Sequence, residues 1–268
     1  MFAEERKQQI LAVLQRVPAV RVADLGRTLQ VSVASIRRDL AELERFGLLK
    51  RTHGGALSNR FALSEPSLAE KEDRHQAEKA AIAVAAAALV EPGDTIFLDA
   101  GTTTRAIAME LRSRRGITVV TNGLNIAWEL ASSDLELVLT GGQLRRSVLS
   151  QVGPLAEKAI AGLHVDKLFL AANGVDVDKG VTTPNLAEAQ TKGAMIQSAR
   201  YVVLVADHTK FGHVAFGRIC SLDQVHAVIT DDGAARDVLA AVERLGVKVH
   251  IAQRPPVADA SSAAARRT

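Results

Sequence analysis

Five short stretches of this 268-residue chain gather hydroxyl, amide, carboxylate and glycine groups: Asp99-Ala-Gly-Thr-Thr-Thr104, Thr121-Asn-Gly123, Thr140-Gly-Gly142, Asn173-Gly-Val-Asp176 and Asp207-His-Thr-Lys-Phe-Gly212. Each follows an apolar run of strand length. Gly101, Thr102, Thr103 and Thr104 open a helix, so unpaired amides, a helix dipole and three hydroxyls converge there, as a phosphate cradle requires. This is not a P-loop, because no Gly-Lys-Ser/Thr follows, and no Gly-x-Gly-x-x-Gly is present to seat a dinucleotide. One such turn alone is an ordinary tight strand-to-helix connection. Five of them on one edge point to a shared small-molecule site that includes Gly141, Gly142, Asn173 and Gly174.

Glu188 and Lys192 stand one helical turn apart. Two readings are open. One is a surface ion pair, worth about 0.3–0.5 kcal/mol. In the other, Lys192 joins Lys210 in supplying positive charge to an anionic ligand. An enzyme would need a positioned acid–base pair. Asp99, Glu188 and Asp207 are candidates, but no paired carboxylates or histidine dyad occur at a telling spacing. Asp176 either orients a turn or touches ligand, and the turn is the simpler role. The seven histidines show no metal-ligand spacing, so neither a metal nor a cofactor is expected. His208 is the one histidine in a candidate loop, and solvent is its expected place.

The elements that position these groups alternate. Apolar runs at 95–99, 117–121, 135–140, 166–172, 200–206, 225–230 and 247–251 are separated by helix-length segments, including 77–90, 103–112, 186–199 and 233–245. That pattern predicts a parallel α/β sheet, doubly wound, with ligands outside the carboxyl ends of its strands. Ahead of it, residues 4–17, 23–29 and 33–46 read as three helices. Ser32 caps the third, and Ile36, Leu40 and Leu43 form its buried stripe. Ala34, Arg38, Ala41 and Arg45 take the opposite face, flanked by Ser35 and Arg37. Small residues and arginines on an exposed helix suit a DNA major groove. Residues 48–51 then read as a strand and Thr52–Ala56 as the turn of a hairpin, completing a winged helix-turn-helix with Lys50, Arg51 and His53 on the wing. A solvated three-helix packing unit is the plainer alternative.

Composition agrees with this division. Residues 1–60 hold 11 lysines and arginines against six acids, a net +5, while the remainder carries −2. A basic head on a faintly acidic body points to a polyanion partner for the head alone. Apolar residues make up 47% and charged residues 24%, which excludes wholesale disorder. Aromatics, at 3%, leave little material for base stacking. The lone Cys220 permits no internal disulfide and fits a reducing cytoplasm. The opening MFAEERKQQI is too charged for a secretory leader, and no apolar run is long enough to span a membrane. The expected division is 1–58 winged helix-turn-helix, 59–76 linker, 77–252 ligand domain and 253–268 disordered tail.

The string SVASIRRDLAELERFGLLKRTHGGAL resembles the N-terminal domain of the DeoR family of bacterial repressors, matched here by Val31, Ser32, Ile36–Leu40, Gly47, Leu49, Arg51 and His53–Ala56. DAGTTT, TNG, TGG, DKLFLAANGVD, Glu188-x-x-x-Lys192 and VADHTKFG resemble the sensor domain of the same family, so the likeness spans residues 4–251. It implies a sensor similar in fold to ribose-5-phosphate isomerase and glucosamine-6-phosphate deaminase. It also implies a double-stranded operator bound by a homodimer or homotetramer, and release by a phosphorylated sugar or polyol. Under it, Gly101–Thr104 hold the phosphate, and Asp99, Asn122, Asn173 and Asp207 meet hydroxyls. The segment from Val152 to Met195 is most similar to regulators of N-acetylgalactosamine and tagatose-6-phosphate use, although glycerol-3-phosphate regulators share most of the same positions. Two other classes stay open: a sugar-phosphate isomerase or deaminase with a basic arm, and an oligomerisation module.

Overall fold

The computed structural model describes residues 3–17, 19–45, 48–52, 54–58 and 67–253. His53, residues 59–66 of the expected linker and nearly all of the expected tail lie outside that set, as do the side chains of Arg45 and Lys50. The chain divides after residue 65 into two compact units.

The first unit runs α1 (Ala3–Arg16), β1 (Ala19–Arg21), α2 (Val22–Leu29), α3 (Val33–Arg45), β2 (Leu49–Thr52) and β3 (Gly55–Ser58). Ile10, Leu14, Leu25, Leu29, Ile36, Leu40, Leu43 and Leu49 make its core, as the helical spacing predicts. Gln30 ends α2 in the left-handed region, and the Ser35 amide donates to Ser32 Oγ at 3.2 Å, so the turn into α3 is capped on both sides. The hairpin turn is shorter than expected. Thr52 already pairs with Gly55, so Gly55 and Ala56 belong to β3, which β1 joins to give the order β1-β3-β2.

In the second unit a seven-stranded parallel sheet has the order β15-β14-β12-β9-β4-β5-β6. These strands are β4 (Thr95–Leu98), β5 (Thr118–Thr121), β6 (Glu136–Leu139), β9 (Val165–Ala171), β12 (Ala199–Val205), β14 (Ala227–Asp231) and β15 (Lys248–Ala252). Successive residues alternate between its two faces. Ile96, Leu98, Phe169, Val203, Val205 and Ile229 pack on one side with α5 (Gln76–Ala87), α6 (Thr102–Leu111) and α7 (Leu124–Leu130). Phe97, Leu168, Leu170, Val202, Leu204 and Val228 pack on the other with α8 (Pro154–Ala161), α9 (Leu186–Ser198) and α10 (Arg236–Arg244). Burial on both faces explains why the inner strands read as unbroken apolar runs, while the edge strands β6 and β15 are largely exposed. A short α4 (Leu68–Glu72) precedes α5 and is capped by Ser67 with Glu70 in a capping box.

Two antiparallel additions escape the sequence reading. One is the hairpin of β7 (Gln143–Arg145) and β8 (Ser150–Val152); the other is a small sheet of β10 (Gly174–Asp176), β11 (Gly180–Thr183) and β13 (Gly217–Cys220). The stretch expected as a turn after Asn173 is therefore a strand. Asp176 Oδ1 accepts the Asp178 and Lys179 amides at 3.0 and 2.8 Å and braces the following turn. Burial pushes the Cys220 thiol up to about 12, so it stays protonated at neutral pH.

Candidate functional site

The sheet order places the first strand of the parallel series, β4, beside the fourth, β9. The chain runs from β4 outward through β5 and β6, then returns to build β9, β12, β14 and β15 on the other side. At such a reversal the flanking connections leave in opposite directions and open a crevice at the carboxyl ends. Asp99 follows β4, Ala172 and Asn173 follow β9, and the first turn of α6 starts at the same edge.

Asp99 lies at the bottom with 0% exposure. Its Oδ2 accepts the Ala171 amide at 2.9 Å and the ammonium of Lys192, which also donates to the Ala171 carbonyl at 3.0 Å. Burial pushes the carboxyl above the usual carboxylate range, against the pull of Lys192 and the Ala171 amide. Asp99 Oδ1 and Thr104 Oγ1 are buried with no hydrogen-bond partner among the described residues. Thr103 is also buried, and Thr102 is half-buried. The first-turn amides of α6 have no acceptor within the helix, as at any helix start.

The Glu188–Lys192 pair is not a surface contact. The two residues are 4% and 3% exposed, which overturns the solvent-exposed reading. Asn185 caps α9 by accepting the Glu188 amide at 3.1 Å. That turn aims the Glu188 carboxylate at Thr183, whose hydroxyl donates at 2.7 Å, and at Arg145, whose Nη1 lies at 3.0 Å. Thr183 Oγ1 is also 3.2 Å from Asn173 Oδ1. Arg145, Thr183 and Ser150, whose hydroxyl donates to Glu188 Oε1 at 3.5 Å, are absent from the sequence prediction. Arg145 follows the Gly141-Gly142 turn, which is the one signal that marks it.

Several predicted residues bond to the framework. Thr121 donates to the Leu98 carbonyl at 2.7 Å and accepts the Gly123 amide at 3.0 Å. Asn122 accepts the Ala100 amide at 2.8 Å and donates to the Gln151 carbonyl at 3.1 Å. These bonds, with the Gln151 amide to the Asn122 carbonyl at 2.8 Å, lay the β7–β8 hairpin across the end of β5. Gly142 has φ +116°, and a Cβ there would come within 2.9 Å of Ala156 Cβ. A Cβ at Gly174 would lie 2.3 Å from the His213 carbonyl oxygen.

Asp207 and Lys210 follow β12, one strand further out. Asp207 accepts the amide of Thr209 at 3.0 Å and its hydroxyl, with Lys210 Nζ at 3.7 Å. His208 is not in open solvent. Its amide donates to Asp231 Oδ1 at 2.7 Å, and its Nδ1 lies 2.8 Å from Oδ2. Burial opposes ionisation of Asp231, but the His208 and Gly233 amides and the His208 ring outweigh it and hold the carboxyl below its ordinary range. Asp231 is also absent from the sequence prediction, although an acid closing an apolar strand is a readable sign.

In the first unit, Ser32, Ala34, Arg37 and Arg38 are exposed and Ser35 is half-buried. Neither arginine has an acidic partner among the described residues. Asp39 turns inward to Arg6 of α1, with bonds of 2.5 and 3.0 Å, and Glu42 takes Lys7 at 2.7 Å. Asp39 thus orients the helix through α1 rather than through the neighbouring arginines, and its charge is withdrawn from the exposed face. The amide of Arg51 on β2 donates to Glu44 of α3 at 2.8 Å.

The family described as DeoR C terminal sensor domain matches residues 74–232, and the one described as DeoR-like helix-turn-helix domain matches residues 6–61. The Putative aga operon transcriptional repressor of Escherichia coli O157:H7 is 36% identical over 91% of this chain and 92% of its own length. The HTH-type transcriptional regulator GlpR of Haloferax volcanii is 40% identical over 93% of this chain and 98% of its own. The Transcriptional repressor AccR of Agrobacterium fabrum is 37% identical over 93% and 97%. Among solved structures, ribose 5-phosphate isomerase A from Methanocaldococcus jannaschii shares 18% identity over 50% of this chain and 53% of that one, with a TM-score of 0.38. At that level the likeness says nothing about chemistry. Among the described residues, no helix is long and apolar enough to cross a membrane.

Proposed function

The chain belongs to the DeoR family, and from that premise we propose that it is a transcriptional repressor whose operator complex is released by a phosphorylated sugar or polyol. The assignment divides the chain into a DNA-binding head over 1–58, a linker over 59–76, a sensor over 77–252 and a tail. The working form is a homodimer or homotetramer that sets two heads on operator half-sites in the cytoplasm. Ser32, Ala34, Ser35, Arg37 and Arg38 meet the major groove, and Lys50, Arg51 and His53 meet the phosphate backbone. The relatives' names contain regulators and repressors and support a regulatory, non-enzymatic role.

One observation carries the effector reading. Two buried oxygens without partners, Asp99 Oδ1 and Thr104 Oγ1, border the open first turn of α6 at the sheet's switch point. A phosphate ester with adjacent hydroxyls satisfies both kinds of group. The ester oxygens accept from the α6 amides and threonine hydroxyls, and a sugar hydroxyl donates to Asp99. Lys192 and Lys210 supply positive charge, while Glu188, Asn173 and Gly174 border the sugar. Thr121, Asn122, Gly141 and Gly142 shape the rim by fixing its turns. Within that class an amino-sugar or tagatose phosphate is the first candidate, on the similarity of residues 152–195, and glycerol-3-phosphate is the second.

The test is a gel shift on the native upstream DNA with galactosamine-6-phosphate, tagatose-6-phosphate and glycerol-3-phosphate, paired with a turnover assay. Release without turnover supports the repressor; turnover without DNA binding makes the protein an enzyme. Replacing both Thr103 and Thr104 with Ala should leave operator affinity intact and weaken the releasing ligand about tenfold or more by calorimetry, at about 1 kcal/mol per lost hydrogen bond. Wild-type ligand affinity in that variant would remove the phosphate from this corner.

Release requires that the ligand bind one arrangement of the protein more tightly than the other. The chain enters the sensor through α4, which is held at three places. The Leu68 amide donates to the Ser147 carbonyl of the hairpin at 2.9 Å, Glu72 lies 3.5 Å from Arg105 of α6, and Lys79 donates to the Lys71 and Glu72 carbonyls. Two of these partners flank the effector corner. Arg105 keeps Glu129 at 2.9 Å when Glu72 is neutralised. Glu72→Gln is therefore expected to preserve ligand and operator affinities measured separately, while the coupling between them falls from the usual ~1–3 kcal/mol. Unaltered release by ligand would take α4 out of the path.

A further inference from the structure

We propose a divalent transition-metal site formed by Glu78, His208 and Asp231, apart from the switch-point corner. The ligand atoms of the three side chains all lie within 4.8 Å of one another. They come from three separate elements: α5, the short 3-10 turn His208–Lys210 after β12, and the end of β14. That separation is why a search for metal-ligand spacing along the sequence finds nothing. The elements are nonetheless firmly placed. β12 and β14 are neighbours in register, Val205 beside Ile229, and α5 packs Ile82, Ala83 and Ala86 onto the face that includes Ile229.

The donor set is one imidazole and two carboxylates. Imidazole favours Zn(II), Ni(II) or Fe(II) over Mg(II), Ca(II) and Mn(II), and three protein ligands leave room for water in the remaining positions. Asp231 is buried and oriented by the His208 and Gly233 amides, at 2.7 and 3.0 Å, so one side of the site is set before a cation arrives. The 2.8 Å between His208 Nδ1 and Asp231 Oδ2 is bridged by a proton in the metal-free protein. A cation bound by both atoms takes that proton's place, and the neutral imidazole carries its proton on Nε2 instead. The nearby ammonium groups are directed elsewhere: Lys210 to Asp207, and Lys79 to the Lys71 and Glu72 carbonyls. His75 stacks edge-on against His208 at 5.5 Å between ring centroids but is outside the donor set. Occupied, the site ties α5 to the sheet.

The experiment uses the full-length, untagged protein stripped with chelator and titrated with zinc chloride and manganese chloride by calorimetry. One Zn(II) per chain is expected. Glu78→Gln and His208→Ala should each weaken binding by about tenfold or more, while His75→Ala leaves it unchanged. Glu78 is half-buried on a helix, so Glu78→Gln keeps the test valid if His208→Ala misfolds. No uptake by the intact protein overturns the proposal. So does uptake unaffected by both variants, which is adventitious binding by other histidines.

Discussion

Replacing Lys192 with methionine is expected to destabilise the sensor unit by about 3–5 kcal/mol, because it leaves the Asp99 carboxylate buried without its cation. At about 2–4 °C per kcal/mol for a unit of this size, the thermal midpoint should drop by roughly 6–20 °C. The loss comes from charge and not from shape, since methionine keeps most of the aliphatic stem. The double variant Asp99→Asn with Lys192→Met removes both charges and should recover much of the loss, a non-additivity read directly from a double-mutant cycle. Urea melts of the full chain supply all four corners. An unfolding free energy within about 0.5 kcal/mol of wild type for Lys192→Met would show that the pair is hydrated, and the effector corner would then lose its fixed base.

Arg38→Ala is expected to weaken specific operator binding by about 1–3 kcal/mol, roughly fivefold to more than a hundredfold, while leaving the melting curve unchanged. The side chain is exposed on α3, and among the described residues no acid holds it. Its removal therefore empties no core and strands no partner. Arg51→Ala on the wing, as a phosphate contact, should instead reduce binding to all sequences alike and flatten the salt dependence by about one unit of slope. Fluorescence anisotropy with the native upstream DNA and a scrambled duplex, across a salt series, separates the two effects. Equal operator affinity for wild type and Arg38→Ala would remove that arginine from the interface.

Much of this architecture is legible in the residues. Unbroken apolar runs ending in glycine and hydroxyl groups reveal the inner parallel strands because both of their faces are buried. The Ile36, Leu40 and Leu43 stripe reveals α3 because helical spacing leaves no other face for it. What fails to show is what depends on distant parts of the chain meeting. Hairpin strands of three residues, such as 143–145 and 150–152, carry no periodicity. Arg145 reads as a surface arginine until the hairpin delivers it to Glu188. Glu188 and Lys192 look like a helical pair, yet one bonds across to the hairpin and the other to Asp99 beneath the sheet edge. Asp39 seems to belong with Arg37 and Arg38 and is claimed by Arg6, some thirty residues earlier.

The hairpin between residues 143 and 152 adds no strand to the seven-stranded sheet. It rests on that sheet mainly through main-chain bonds around Asn122 and Leu124. Val148, Ser150 and Val152 are buried and Arg145 is held by Glu188, so the freedom to vary lies in its exposed side chains, Gln143, Leu144, Arg146 and Ser147. Gene duplicates built on this plan can diverge in the metabolite they answer to by changing a ten-residue cover, while inheriting the same frame and the same route to the chromosome.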